Sequence, residues 1–173
     1  LPPSGTIATT ANSGTAFGKI TSTGAATLGG SGTIAVTVGG YIPNGATLVV
    51  IDGVGGTAIS GGLTVTSTSP NVTFTANSAI AADLTLTATR TTTGITAGNN
   101  TAVATAINSV GTPTGDMATL LGVLDSYTTS TAMDTAVSQL DPTNNGATAQ
   151  ASFNTVNQSV GAITGHLNQS GGG

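Results

Sequence analysis

"GTIAVTVGGYIPNGATLVVIDG", residues 32–53, decides how the chain is read. In its first part Ile34, Val36 and Val38 alternate with Thr33, Ala35 and Thr37. A period of two marks a strand with one buried face, and β-branched threonine suits the outer face of a pleated sheet. "ATLVVID", 46–52, is apolar on both faces and predicts a strand inside the body. Between them Pro43 presets one turn torsion while Asn44 and Gly45 accept positive φ, so "YIPNGA" predicts a turn.

The alternation recurs downstream in Leu63 and Val65, in Val72 and Phe74, and in Leu84, Leu86 and Ala88, which predicts strands over 63–67, 71–76 and 84–89. Gly29-Gly30, Gly39-Gly40, Gly55-Gly56, Gly61-Gly62 and "SPN" at 69–71 punctuate them. Strand spacings of this order fit a sandwich or a β-solenoid, and no strict internal repeat separates the two. The first thirty residues hold only Ile7, Phe17, Ile20 and Leu28 as large apolar anchors and read as an extended arm.

After Arg90 the period changes. Val103 and Ile107 follow an Asn cap, and Met117, Leu120, Leu121 and Leu124 share a face behind Asp116, read as a cap. Met133, Ala136, Val137 and Leu140 repeat the device. Ala149, Phe153, Val156, Val160, Ile163 and Leu167 are then spaced 4, 3, 4, 3, 4, an a/d seam of nearly three heptads. Gly161 and Gly165 each cost up to about 1 kcal/mol relative to alanine, so packing against the shorter helices or the β-region is expected to hold this helix. The fold class expected is mainly β with a C-terminal helical segment: a solenoid end or sandwich-like sheet, then three to four helices. The divisions expected are an arm over 1–30, a β-rich domain over 31–92, helices over 99–168 and a flexible tail over 169–173.

Composition narrows the chemistry. Eight of 173 residues are charged, whereas 36 are threonine and 26 glycine, so hydroxyls and amides carry the polarity. Hydrophobic residues make up 38% at a net charge of −4, a balance that favours folding over disorder. Without cysteine no disulfide framework or thiolate chemistry is available. Lys19 and Arg90 are the only side-chain cations, too few to neutralise a run of phosphates, which argues against nucleic acid as a partner. No apolar run reaches the ~20 residues of a membrane-spanning helix. Five aromatics are too few for the girdles of an outer-membrane barrel. Beginning at "LPPSGT" without Met, the chain reads as a mature or excised piece of something longer.

No constellation assembles a reaction. Gly53, Gly55 and Ala58 spell G-x-G-x-x-A, but a turn and another strand are expected where a dinucleotide site needs a helix N-terminus. The carboxylates Asp52, Asp83, Asp116, Asp125, Asp134 and Asp141 show no spacing of a catalytic pair. His166, the one histidine, reads as a solvated residue of the last helix. No catalytic, cofactor-binding or metal-ligating residue is assigned, and no cofactor is expected. Sequons occur at Asn71, Asn99, Asn157 and Asn168.

The run from "GTIAVTVGG" through "ADLTLTATR", followed by "DMATLLGVLDSY" and "AMDTAVSQLDPTNNGATAQASFNTVNQSVGAITGHL", resembles the C-terminal passenger region of Gram-negative autotransporters. It departs from that pattern in carrying "LDP" for "LSP", in having few strands, and in ending at "SGGG" without a barrel. The resemblance implies export across the outer membrane, a surface or released location, a β-helical scaffold and a separate barrel in the precursor. It carries over no catalytic residue.

The function expected is that of a non-enzymatic structural protein of the bacterial cell exterior. Strands with almost no guarding charge leave edges open to a neighbour, so copies are expected to join through sheet edges into a fibre or surface array. The alternative is a monomeric adhesin or stalk segment that displays binding loops. A polysaccharide-active enzyme ranks last for want of a carboxylate pair.

Overall fold

The computed structural model describes residues 5–28, 31–53, 57–59, 62–77, 83–92, 94–95, 98–140 and 147–170. Nine strands come first: β1 Thr6–Ala11, β2 Ile20–Ser22, β3 Ala26–Leu28, β4 Gly32–Val38, β5 Thr47–Gly53, β6 Thr57–Ile59, β7 Leu63–Ser67, β8 Val72–Asn77 and β9 Leu84–Arg90. Four helices follow: α1 Asn100–Asn108, α2 Gly115–Ser126, α3 Ser130–Ser138 and α4 Ala147–Ser170. Helix and strand each take about a third of the chain, so the class is mixed where the sequence reads as mainly β.

The strands form three sheets, ordered β1-β4-β7, β2-β5-β9-β8 and β3-β6. Four of the pairings are parallel and join strands one circuit apart in sequence. Ile20 lies beside Ile51, Ala26 beside Thr57 and Gly32 beside Leu63, while Thr6 lies beside Thr33. Parallel partners need a long crossover between them, which the intervening strands and turns supply. Parallel pairs of this kind differ from the antiparallel pairs of a sandwich. The described strands close neither a barrel nor a solenoid. Among the strands of the described residues, β8 with β9 and β9 with β5 pair antiparallel.

The expected N-terminal arm is not what forms. Residues 6–28 contribute β1, β2 and β3, each in register with a later strand of the same chain. Their apolar anchors are few because small threonine and alanine side chains can pair a backbone without filling a core. "TIATTA" still buries Thr9 and Ala11.

Burial follows the alternation read from the sequence. Ile34, Val36 and Val38 of β4, Leu48, Val50 and Ile51 of β5, Val72 and Phe74 of β8, and Leu84, Leu86 and Ala88 of β9 form one apolar core with Ile42. Each fully buried branched side chain contributes roughly 1.5–3 kcal/mol of transfer free energy. The turn at 43–46 forms as expected: Ala46 N–H donates to the Pro43 carbonyl at 3.1 Å, with Gly45 at φ 78°. That positive φ is the value a type II turn requires at its third position.

Residues 1–138 make one unit, and 139–173 a second. The first three helices therefore belong with the strands, contrary to a division at 31–92 and 99–168. Ile95, Ala104, Leu121, Leu124, Met133 and Val137 are the buried apolar residues of this helical part. The cap of α2 is Thr114 and not Asp116, which lies in the first turn, where a carboxylate favours the positive end of the helix. In the second unit, α4 is continuous over 24 residues. Within this unit Val156, Val160 and Ile163 of its seam are 58%, 55% and 61% exposed. The tail expected over 169–173 lies outside the described residues from 171 onward.

Candidate functional site

Two features of the first unit concentrate polar chemistry. One is a buried knot. Arg90, the last residue of β9, turns its guanidinium inward to Asp125 on α2, Nη1 to Oδ2 at 2.6 Å and Nη2 to Oδ1 at 2.7 Å. The side chains are 1% and 0% exposed. A buried ion pair repays desolvation only when its remaining donors and acceptors are satisfied. Here Arg90 Nη1 also donates to the Ile42 carbonyl at 2.8 Å and Nε to Asn108 Oδ1 at 3.0 Å. Asp125 accepts from the Ile42 N–H at 3.2 Å and from Asn71 Nδ2 at 3.1 Å.

The knot ties together the 41–46 segment, β9, α1 and α2. Asn108 Nδ2 reaches the Thr91 carbonyl at 3.2 Å, and the Asn44 side chain accepts from the Arg90 N–H at 3.0 Å. The Arg90 guanidinium carbon lies 4.8 Å from the centre of the Tyr41 ring, and the Tyr41 hydroxyl donates to the Val110 carbonyl at 2.6 Å. Burial, the largest effect, pushes the Tyr41 phenol above its ordinary pKa; nearby Arg90 opposes this and Asp125 adds to it. With every group engaged, the arrangement fastens helices to strands and offers no free acid or base.

The second feature is an open groove of about 560 Å³ beside the knot, between the 12–13 loop, the 39–41 segment and α2. Its walls approach closely because three residues lack a Cβ. A Cβ on Gly39 would strike the Asn12 side-chain oxygen, one on Gly40 the Asn12 carbonyl, and one on Gly122 would sit 3.3 Å from the Tyr41 nitrogen.

The carboxylates do not converge. Asp52 on β5 pairs with Lys19 at 2.7 Å on the surface, and this hydrogen bond with its Coulombic attraction holds the Lys19 pKa above its ordinary value. Asp134 accepts from Asn100 Nδ2 at 2.9 Å. Asp83 immediately precedes β9, and Asp141 lies outside the described residues. His166 is exposed on α4. No three Asp or His residues among the described ones gather as a metal site. No described helix is long and apolar enough to cross a membrane.

The G-x-G-x-x-A look-alike resolves as strand: Gly53 ends β5 and Ala58 lies in β6, with Gly55 outside the described residues. Of the sequons, Asn71 is buried within the knot and Asn157 is exposed on α4. Asn99 is the N-cap of α1, and the Asn168 side chain lies outside the described residues. The knot itself escaped the sequence reading because no rule links Arg90 on β9 to Asp125 on α2 across 35 positions; the presence of one Arg in a nearly uncharged chain was its only signal. Comparison with family models, curated proteins and solved structures finds no match.

Proposed function

We propose that this chain is a non-enzymatic structural segment of a bacterial cell exterior, autotransporter-passenger-like, which self-associates by adding parallel strands of a second copy to its N-terminal margin. The observation that carries this reading is the placement of β1, β2 and β3. Each stands at the edge of its sheet, and each already pairs parallel with the strand one circuit later.

The edge chemistry supports addition of strands. The Gly5 and Ala11 carbonyls accept from Thr33 and Gly39, so by alternation the N–H and carbonyl of Ala8 face away from β4. Lys19, the one cation beside this margin, is drawn to Asp52 of its own chain and guards the edge weakly. The loop after β1 covers only its C-terminal end, through Gly18 N–H to the Thr10 carbonyl at 2.9 Å and the Ala11–Phe17 bridge.

Sedimentation velocity and negative-stain imaging test the proposal. Concentration-dependent polymers are expected, and Ala8→Pro, which removes an outward donor without touching the β1–β4 ladder, is expected to shorten them while leaving circular dichroism unchanged. A stable monomer at high micromolar concentration would overturn the self-association.

A further inference from the structure

The groove beside Tyr41 is a built feature that strand addition does not use. Its volume, about 560 Å³, falls within the roughly 300–1,000 Å³ span of small-molecule sites. Its floor is fixed by the contacts that Gly39, Gly40 and Gly122 permit, and Tyr41, whose ring and hydroxyl are held by Arg90 and Val110, is one of its lining residues. The site is therefore positioned by the interior of the protein.

Its lining selects a chemistry. Among the described residues no carboxylate, ammonium, guanidinium or imidazole lines it. A charged ligand would find no counter-charge there, and losing water without one is costly. A purely apolar ligand is disfavoured for the opposite reason, because it would cover the Asn12 amide without bonding to it. That side chain makes no hydrogen bond among the described residues, and its NH₂ and carbonyl remain available. Thr119 and Ser126 donate their hydroxyl protons to the Gly115 and Val123 carbonyls, at 3.4 and 2.8 Å. Their oxygens keep acceptor capacity for a ligand. Pro113 and Val123 supply apolar surface between these polar points.

A neutral molecule with hydroxyls on its rim and C–H groups on its faces matches this alternation. We infer that the groove between the 12–13 loop, Tyr41 and α2 binds a neutral carbohydrate, with Asn12 donating to and accepting from sugar hydroxyls and Thr119 and Ser126 accepting from them. This inference does not rest on self-association, and a strictly monomeric chain would keep the site.

The test is ¹H–¹⁵N correlation spectroscopy of the full chain titrated with cellobiose, lactose and N,N′-diacetylchitobiose, with glucuronic acid as the anionic comparison. With at least one neutral sugar, saturable shifts are expected at the amides of Asn12, Ser13, Gly40, Tyr41, Thr119 and Gly122, below about 10 mM sugar. Asn12→Ala is expected to weaken binding about three- to ten-fold, the worth of one or two neutral hydrogen bonds. Thr119→Trp, placed at an exposed helix position, is expected to fill the groove and abolish the shifts while the remaining spectrum stays folded. Absence of saturable shifts with all three sugars would overturn the inference. So would unchanged binding by folded Thr119→Trp, or equal shifts with glucuronic acid.

Discussion

Arg90 and Asp125, the last residue of a strand and a residue near the end of a helix 35 positions later, meet side by side through two hydrogen bonds of 2.6 and 2.7 Å in a site closed to water. Removing one partner leaves the other charged, buried and unpaired. Asp125→Ala is expected to cost about 3–5 kcal/mol, read from urea unfolding. Arg90→Lys is expected to recover little, since an ammonium cannot copy the paired geometry or reach Asn108 and Ile42 together. The double variant Arg90→Met/Asp125→Leu should lose less than the sum of the singles, by more than about 1 kcal/mol. Additive losses would show that the pair acts as two independent packing residues.

Neighbouring glycines are expected to respond differently to a methyl group. At Gly40 the added Cβ meets the Asn12 main-chain carbonyl, which cannot move without shifting the loop. Gly40→Ala is expected to cost about 1–3 kcal/mol. At Gly39 the obstacle is the end of the Asn12 side chain, which can rotate, so Gly39→Ala is expected to cost under about 1 kcal/mol. Thermal unfolding of the two variants side by side gives the order.

Alkaline titration reports on Tyr41. Its folded-state pKa stands above the ordinary 10.0, so in the folded chain the phenol keeps its proton at a pH where the unfolded chain has lost it. The stability this contributes is whole below pH 10.0 and falls as pH rises through the folded value. Lys19, raised above 10.5, acts in the same direction over the same alkaline range, although its exposure makes its share small. In a Tyr127→Phe background the phenolate absorbance of Tyr41 is expected to rise later in the folded protein than in urea. Coincident titrations would contradict the burial of its ring.

Deleting residues 139–173 is expected to leave the unfolding free energy of the remainder within about 0.5 kcal/mol, because 1–138 holds both the β-core and the buried helical residues. A peptide spanning 147–170 is expected to be largely non-helical in water by circular dichroism. Its threonines, asparagines, Gly161 and Gly165 are poor helix formers, and no charged pair supports them. A cooperative helical transition in the isolated peptide would show that α4 associates with itself.

Much of the fold was legible where side chains were large. The strands at 32–38, 47–53, 63–67, 72–77 and 84–90 and all four helices follow from the periods of Ile34, Leu48, Val72, Leu84, Val103, Leu121, Met133 and Val156 and their neighbours. What escaped was β1, β2, β3 and β6, built on threonine, alanine and serine, whose small side chains leave almost no periodic signal. The choice between parallel and antiparallel pairing stayed open, with solenoid and sandwich both admitted, since alternation reports a buried face and not the partner across it. The groove was illegible for a related reason: Asn12, Gly40 and Gly122 become neighbours only through the tertiary contact of a loop with α2.

The whole sequence contains two side-chain cations, and both are spoken for: Arg90 is sealed inside against Asp125, and Lys19 lies against Asp52. What the described residues present is therefore a surface of alcohols and amides with a scatter of aspartates and of apolar side chains such as Val123 and Ile163. Such a surface offers polyanions little to grip, so retention on heparin or DNA is expected to be weak.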